Sequence, residues 1–309
     1  MKMHLQQQTV GKSHTFEGKG LHTGKVARMT VNPAPVDFGI KFRRIDLGTD
    51  AVVDALADNV SSTARSTAIS CGEASVMTIE HILSALTGMG VDNALIDIDN
   101  VEVPILDGSA KPYIDAIWQN GSGVVAQDAP RKYIEISSPI EIKNEETGSF
   151  VRIEPADEPS FDIKIDFNSQ VLGVQTASWD FSVNYTEEIG VCRTFVFFHE
   201  LEFLFKNNLI KGGDVDNAIV IVEHPVSDAQ LSSMAALFNV PVLERCENGY
   251  LSNNVLRFEN ECARHKLLDL IGDLRLTGGL MKAKVTAYKA GHTINTKTAQ
   301  AVRESLKLK

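Results

Sequence analysis

His265, Asp269 and Asp273 recur every fourth residue between Arg264 and Leu274, and these residue types at this spacing could do metal chemistry. Leu267, Leu270, Ile271 and Leu274 fall at helical spacing, so the stretch reads as helix. The polar residues then form one slowly drifting stripe on it. An imidazole and a carboxylate one turn apart can reach the same cation. Asp273 cannot readily join them, because eight residues rise roughly 12 Å along a helix axis. His265 and Asp269 are therefore candidate ligands, and Asp273 is read as an acid that orients another group. Alone, an H-x-x-x-D spacing is more often a solvated polar face, so the rest of the chain has to decide.

A second helical pattern runs through Thr78-Ile79-Glu80-His81-Ile82-Leu83-Ser84-Ala85-Leu86, with Thr78 as its expected N-cap. Neighbouring Glu80 and His81 point about 100° apart around the axis. If His81 holds a metal, Glu80 can stand beside the water that the metal activates, as general-base hydrolysis requires. Two imidazoles and one carboxylate with an open position match a catalytic zinc site, and equally the facial triad of non-haem iron enzymes. The surrounding residues suit hydrolysis better. His292, in a glycine-bounded turn, can protonate a leaving amine or balance an oxyanion. Asp273 can hold His292 as imidazolium. Thr194 can donate a hydroxyl hydrogen bond to the oxyanion.

These residues need elements to position them. The 309 residues suffice for two ordinary domains, and the apolar content of 43% suits a globular chain. A net charge of −10 argues against nucleic-acid binding over a broad surface. Cys71, Cys192, Cys246 and Cys262 show no C-x-x-C spacing, so a reducing compartment is expected. Neither an N-terminal apolar leader nor a bilayer-length apolar run is apparent, so the expected location is the cytoplasm. Each half reads as strands, a long helix, a strand and a helix. The expected class is α+β: a two-layer sandwich of two topologically similar α+β domains, residues 1–125 and 130–309. The stretch up to Pro130 reads as linker, Leu256–Leu276 as the long second-half helix, and Asp228–Phe238 as a short helix in an unassigned segment, 224–255.

The set Thr-Ile-Glu-His at 78–81, His-Lys-Leu-Leu-Asp with Ile-Gly-Asp at 265–273 and Ala-Gly-His at 290–292 resembles the UDP-3-O-acyl-N-acetylglucosamine deacetylases, the LpxC family. So do Gly-Leu-His-Thr-Gly at 20–24, Pro-Ile-Leu-Asp-Gly-Ser-Ala at 104–110 and Arg-Thr-Phe at 193–195. The likeness runs from about residue 9 to 302. It implies a cytosolic, zinc-dependent amidase of lipid A biosynthesis in Gram-negative bacteria, with one Zn(2+) per chain and Fe(2+) able to occupy the same site. It implies His81, His265 and Asp269 as ligands, Glu80 as base, His292 as charged partner or general acid, and Thr194 at the oxyanion. Phe195, Lys266 and Leu21 would lie near the UDP-linked acylated amino sugar, and Asp166-Phe167-Asn168 near its nucleotide. The resemblance also implies a βαβ insert at about 195–222, with Leu201, Ile210, Gly213 and Val215 along a passage for the acyl chain. Segment 224–255 is longer than in many members. Some relatives continue into a fused 3-hydroxyacyl-carrier-protein dehydratase, which makes such a domain beyond residue 309 a possible partner.

Overall fold

The computed structural model describes residues 5–207, 211–214, 216–238, 240, 243–245, 248–252 and 255–307. Its class is α+β, with two main sheets built on one plan. Across the first sheet the order is His14–Lys19, Val26–Pro33, Ala94–Ile98, Ile40–Arg44, Val52–Asp54. Across the second it is Ile140–Lys143, Phe150–Pro155, Met281–Tyr288, Ser160–Asp166, Val174–Asp180. In both, the strand latest in the chain takes the middle, parallel to one neighbour and antiparallel to the other. Period-two alternation gives each sheet a buried face. Met29, Val31, Phe42, Ile96 and Ile98 are buried in the first sheet, and Ile153, Phe161, Ile163, Val285 and Ala287 in the second.

The helices are α1 Glu80–Gly88, α2 Lys111–Ile117, α3 Tyr185–Glu188, α4 Phe198–Lys206, α5 Asp228–Leu237, α6 Glu261–Leu274 and α7 His292–Lys307. Helix α1 is buried on every side, and α6 packs along it. The two approach backbone to backbone: a Cβ on Gly272 would lie 2.1 Å from the Glu80 carbonyl oxygen. Only glycine permits that approach.

Some local expectations change. Residues 124–130 form a strand antiparallel to Gln6–Val10 rather than an unpaired connection. Val174–Asp180, hidden in a polar stretch, is an outer strand of the second sheet with only Ala177 and Trp179 buried. Helix α6 starts at Glu261, not Leu256, because the Glu261 carboxylate turns back to accept the Arg257 N–H at 2.6 Å and ends the preceding coil there. Thr78 is not an N-cap. Its φ is +62°, and its hydroxyl donates to Glu102 Oε1 at 3.0 Å.

Phe195–Phe197, α4 and Ile219–Ile221 make a parallel βαβ unit. It has a core of its own, in which Phe198, Leu201, Leu204, Val220 and Val222 pack with Met234, Ala235, Leu243 and Leu251. Residues 224–255 thus contribute α5, closed at its start by a Ser227–Gln230 capping box, to the packing of the insert.

Candidate active site

Helix α6 places His265 and Asp269 one turn apart, and α1 brings His81 to meet them. One ligand atom from each of the three lies within 4.8 Å of the others, and all three residues are buried. Asp269 Oδ1 stands 3.4 Å from His265 Nε2 and 3.6 Å from His81 Nε2. The imidazole rings meet edge to face with centroids 5.0 Å apart. This is the only such cluster among the described residues.

Hydrogen bonds orient the donor atoms. The Cys192 carbonyl accepts from His265 Nδ1 at 3.0 Å, which leaves the Nε2 lone pair facing Asp269. Residues 192–194 are held in turn by the buried Glu261 carboxylate, which accepts Arg193 N–H at 3.1 Å and Arg193 Nε at 3.0 Å. Lys266 Nζ donates to Asp269 Oδ2 at 2.8 Å. The other oxygen, Oδ1, is buried with no hydrogen-bond partner. A buried carboxylate oxygen without a donor is costly. Aimed at two imidazole nitrogens, it fits a cation with an N,N,O ligand set.

Charges are tuned in the same sense. Burial pushes His265 down to about 4 against the pull of Asp269, so its imidazole is neutral. Burial also opposes charge on Asp269, but Lys266 and the imidazoles hold its carboxyl well below the ordinary range. Glu80 is the reverse case. Burial is the strongest influence and raises it, despite His292 and His81 nearby.

Glu80 Oε2 accepts the Thr67 N–H at 3.1 Å, and its Oε1 lies 4.0 Å from His292 Nε2. His292 opens α7, where burial and the positive end of the helix both disfavour its charge. Asp273 reverses this. Its Oδ2 accepts from His292 Nδ1 at 2.9 Å and, with Glu80, lifts the imidazole to about 9. Asp273 is fully buried and accepts two further hydrogen bonds, from the Thr67 hydroxyl and from Asn295 Nδ2 at 2.9 Å. Thr67, Asn295, Glu261 and the Cys192 carbonyl were not singled out from the sequence. Only Asn295, one turn from His292, had a local signal.

The other expected residues fall into groups. Thr194 is partly buried and fixed by its backbone, which bonds to Gly108 and Ile219 at 2.8 Å each. Phe195 meets Phe167 at a centroid distance of 5.4 Å, and Phe167 is 44% exposed. Asp166 accepts from the Asn168 N–H and from Lys289, which lowers its carboxyl. Leu201 is only 2% exposed, inside the small core of the insert. Gly213 is partly buried in the turn at 211–214, and Leu21 accepts the Gly212 N–H at 3.0 Å. Ile210 and Val215 lie outside the described residues.

Among the described residues no helix is long and apolar enough to cross a membrane. A family model described as UDP-3-O-acyl N-acetylglycosamine deacetylase (LpxC) matches residues 7–236 and 225–304. The chain is 44% identical over 301 residues to a bifunctional enzyme LpxC/FabZ of Porphyromonas gingivalis, covering 97% of this chain and 65% of that protein. It is 41% identical to a protein of the same name from Bacteroides thetaiotaomicron, covering 98% and 66%. It is 36% identical to a UDP-3-O-acyl-N-acetylglucosamine deacetylase of Thioalkalivibrio sulfidiphilus, covering 95% and 88%. The chain thus spans just under two thirds of the length of the bifunctional relatives.

Proposed function

The chain belongs to the UDP-3-O-acyl N-acetylglycosamine deacetylase family, and from that premise we propose that it is a zinc-dependent amide hydrolase. It removes acetate from the N-acetyl group of UDP-3-O-acyl-N-acetylglucosamine, a step of lipid A biosynthesis carried out in the cytoplasm. The observation that carries this reading is the unpartnered Asp269 Oδ1 facing two imidazole nitrogens in a buried site. His81, His265 and Asp269 would hold the cation, and Fe(2+) suits the same donors. When bound, such a cation supplies Lewis acidity that polarises a carbonyl oxygen and acidifies water.

The chain's own groups do the rest. Glu80, raised by burial, takes a proton from the attacking water. His292 is charged at neutral pH and stands opposite Glu80, where it balances the oxyanion and gives a proton to the departing amine. Asp273 keeps that charge in place, and Thr194 donates its hydroxyl to the oxyanion. Lys266 neutralises Asp269 and lies beside the substrate. Phe195, Phe167 and Asp166 flank the nucleotide end, and Leu21 and the insert take the acyl chain. A purely structural zinc site normally has four protein ligands. The cluster among the described residues has three.

Metal analysis of the purified protein together with acetate release from the nucleotide sugar tests the reading. One divalent cation per chain and acetate release lost on chelation are expected. Full activity without metal, or metal without acetate release, overturns it. For a partner, the names of the bifunctional relatives point to a FabZ-type dehydratase on the same polypeptide. The mass of the protein in its source cells checks that.

A further inference from the structure

Glu102 is a carboxylate with 1% exposure that the chemistry above does not use. Its Oε1 accepts the His22 N–H at 2.9 Å and the Thr78 hydroxyl at 3.0 Å, and its Oε2 accepts the Thr23 N–H at 2.8 Å. Two successive backbone N–H groups closing on one anion make a nest. Gly20 is required there, since a Cβ would come within 2.3 Å of Glu102 Oε2. The opposite side of the same turn holds residues 211–212 of the insert, between α4 and the strand Ile219–Ile221. Leu21 O accepts the Gly212 N–H at 3.0 Å, and His22 O accepts the Lys211 N–H at 3.3 Å. A Cβ on Gly212 would lie 2.0 Å from the Gly20 carbonyl oxygen, so two backbones are in direct contact.

Thr78 reports to the other centre. It precedes Glu80 and His81 by two and three residues and has φ +62°, a region unfavourable for a β-branched residue. The Glu102 bond helps hold it there. The neighbouring chain is clamped as well, with Met77 N–H donating to Val101 and Val103 N–H to Met77. One carboxylate therefore grips the turn that receives the insert and the residue that launches the catalytic helix.

We propose that Glu102 is a positioning residue that couples docking of the insert on the 20–24 turn to the placement of Glu80 and His81, so that an acyl chain held by the insert raises turnover as well as affinity. The proposal rests on the deacetylase reading for its substrate and on the Glu102 hydrogen bonds for its mechanism. The test has one arm for each.

The first arm is hydrogen exchange, which needs no substrate. In Glu102→Gln one oxygen becomes an amide that faces an N–H donor. Amides of 20–24, 211–212 and 79–82 should all exchange about tenfold faster or more, with α6 unchanged. Faster exchange in 20–24 alone overturns the coupling. Thr78→Val cuts only the catalytic side, so 79–82 should loosen while 20–24 stays protected, and Thr78→Ser should restore protection. These two variants decide the question if Glu102→Gln does not fold. The second arm compares kcat for substrates with long and short acyl chains. The wild-type ratio should exceed one by about tenfold, since small misplacements of catalytic groups have effects of that order. It should collapse towards one in Glu102→Gln and Thr78→Val, while the KM difference persists. A ratio of one in the wild type, or an unchanged ratio in the variants, overturns the proposal. Absence of acetate release from any substrate would instead count against the deacetylase reading and leave the exchange result to decide the coupling.

Discussion

Around Gly272, helices α1 and α6 touch backbone to backbone, every residue of α1 is buried, and the ligand cluster sits at their crossing. The insert is built otherwise. Helix α4 rests on a small separate core and leaves Phe203 58% exposed, and residues 211–212 beyond it join the first half through main-chain bonds. The first region holds charged groups at fixed separations, where a fraction of an ångström alters a cation site. The second presents apolar surface, and the insert's main-chain bonds at 211–212 to the 20–24 turn are the route by which it reaches the chemistry. Within 224–255, Met234, Ala235, Leu243 and Leu251 extend the core of the second region. Substitutions in each region test the difference.

The largest effect belongs to Asp269. In Asp269→Ala the two imidazoles lose their shared carboxylate and Lys266 loses its partner. The protein should remain folded, bind no stoichiometric cation and fall to background acetate release. Retention of one cation per chain, measured on purified protein, would contradict the ligand assignment and with it the idea that the first region is built for a metal.

Next is the charge on His292. Its value of about 9 means the imidazolium persists through neutral pH, so activity should fall as pH rises through about 9. On the acid side, Glu80 should lose its base form at a higher pH than an ordinary glutamate does. The same His292–Asp273 pair adds folding stability that is complete below the ordinary imidazole value of 6.5 and is lost as pH rises through about 9. Asp273→Asn should bring the basic limb of kcat down by about one unit or more. An unmoved limb would assign it to another group.

Gly272→Ala tests the backbone contact itself. A methyl 2.1 Å from the Glu80 carbonyl must push α1 and α6 apart. A loss of about 1–3 kcal/mol is expected for such overpacking, seen as a lower Tm, together with reduced kcat because Glu80 moves. An unchanged Tm and kcat would show that the crossing has slack.

How much of this was legible beforehand follows from distance along the chain. His265 and Asp269 share one helix, so their spacing made them candidates, and His81 with Glu80 joined them only when the two helical stretches were considered together. The expected paired architecture appears as two sheets of one strand order. What stayed hidden acts across long separations. Thr67 reaches Asp273 over 206 residues, and the Cys192 carbonyl reaches His265 over 73. No periodicity records such contacts. Gly272 was read as part of a motif, but its need for a missing Cβ appears only once Glu80 is packed against it. Thr78 looked like a cap because residue type suggested one, yet its hydroxyl was taken by Glu102.

The smallest effect on chemistry is expected from Leu201→Ala. The side chain is nearly fully buried among Phe198, Leu204 and Val220, so its truncation should cost the insert about 2–5 kcal/mol of local stability. A core this small has little stability to lose, so amides of α4 and α5 should exchange faster, while those of α1 and α6 keep their protection. Cation content and turnover of a short-chain substrate should stay near wild type, with KM rising for a long-chain one. If the truncation instead releases the cation, the two regions form a single cooperative unit, because three carbons lost from the core under α4 would then loosen the α1–α6 crossing as well as the turn that receives the insert.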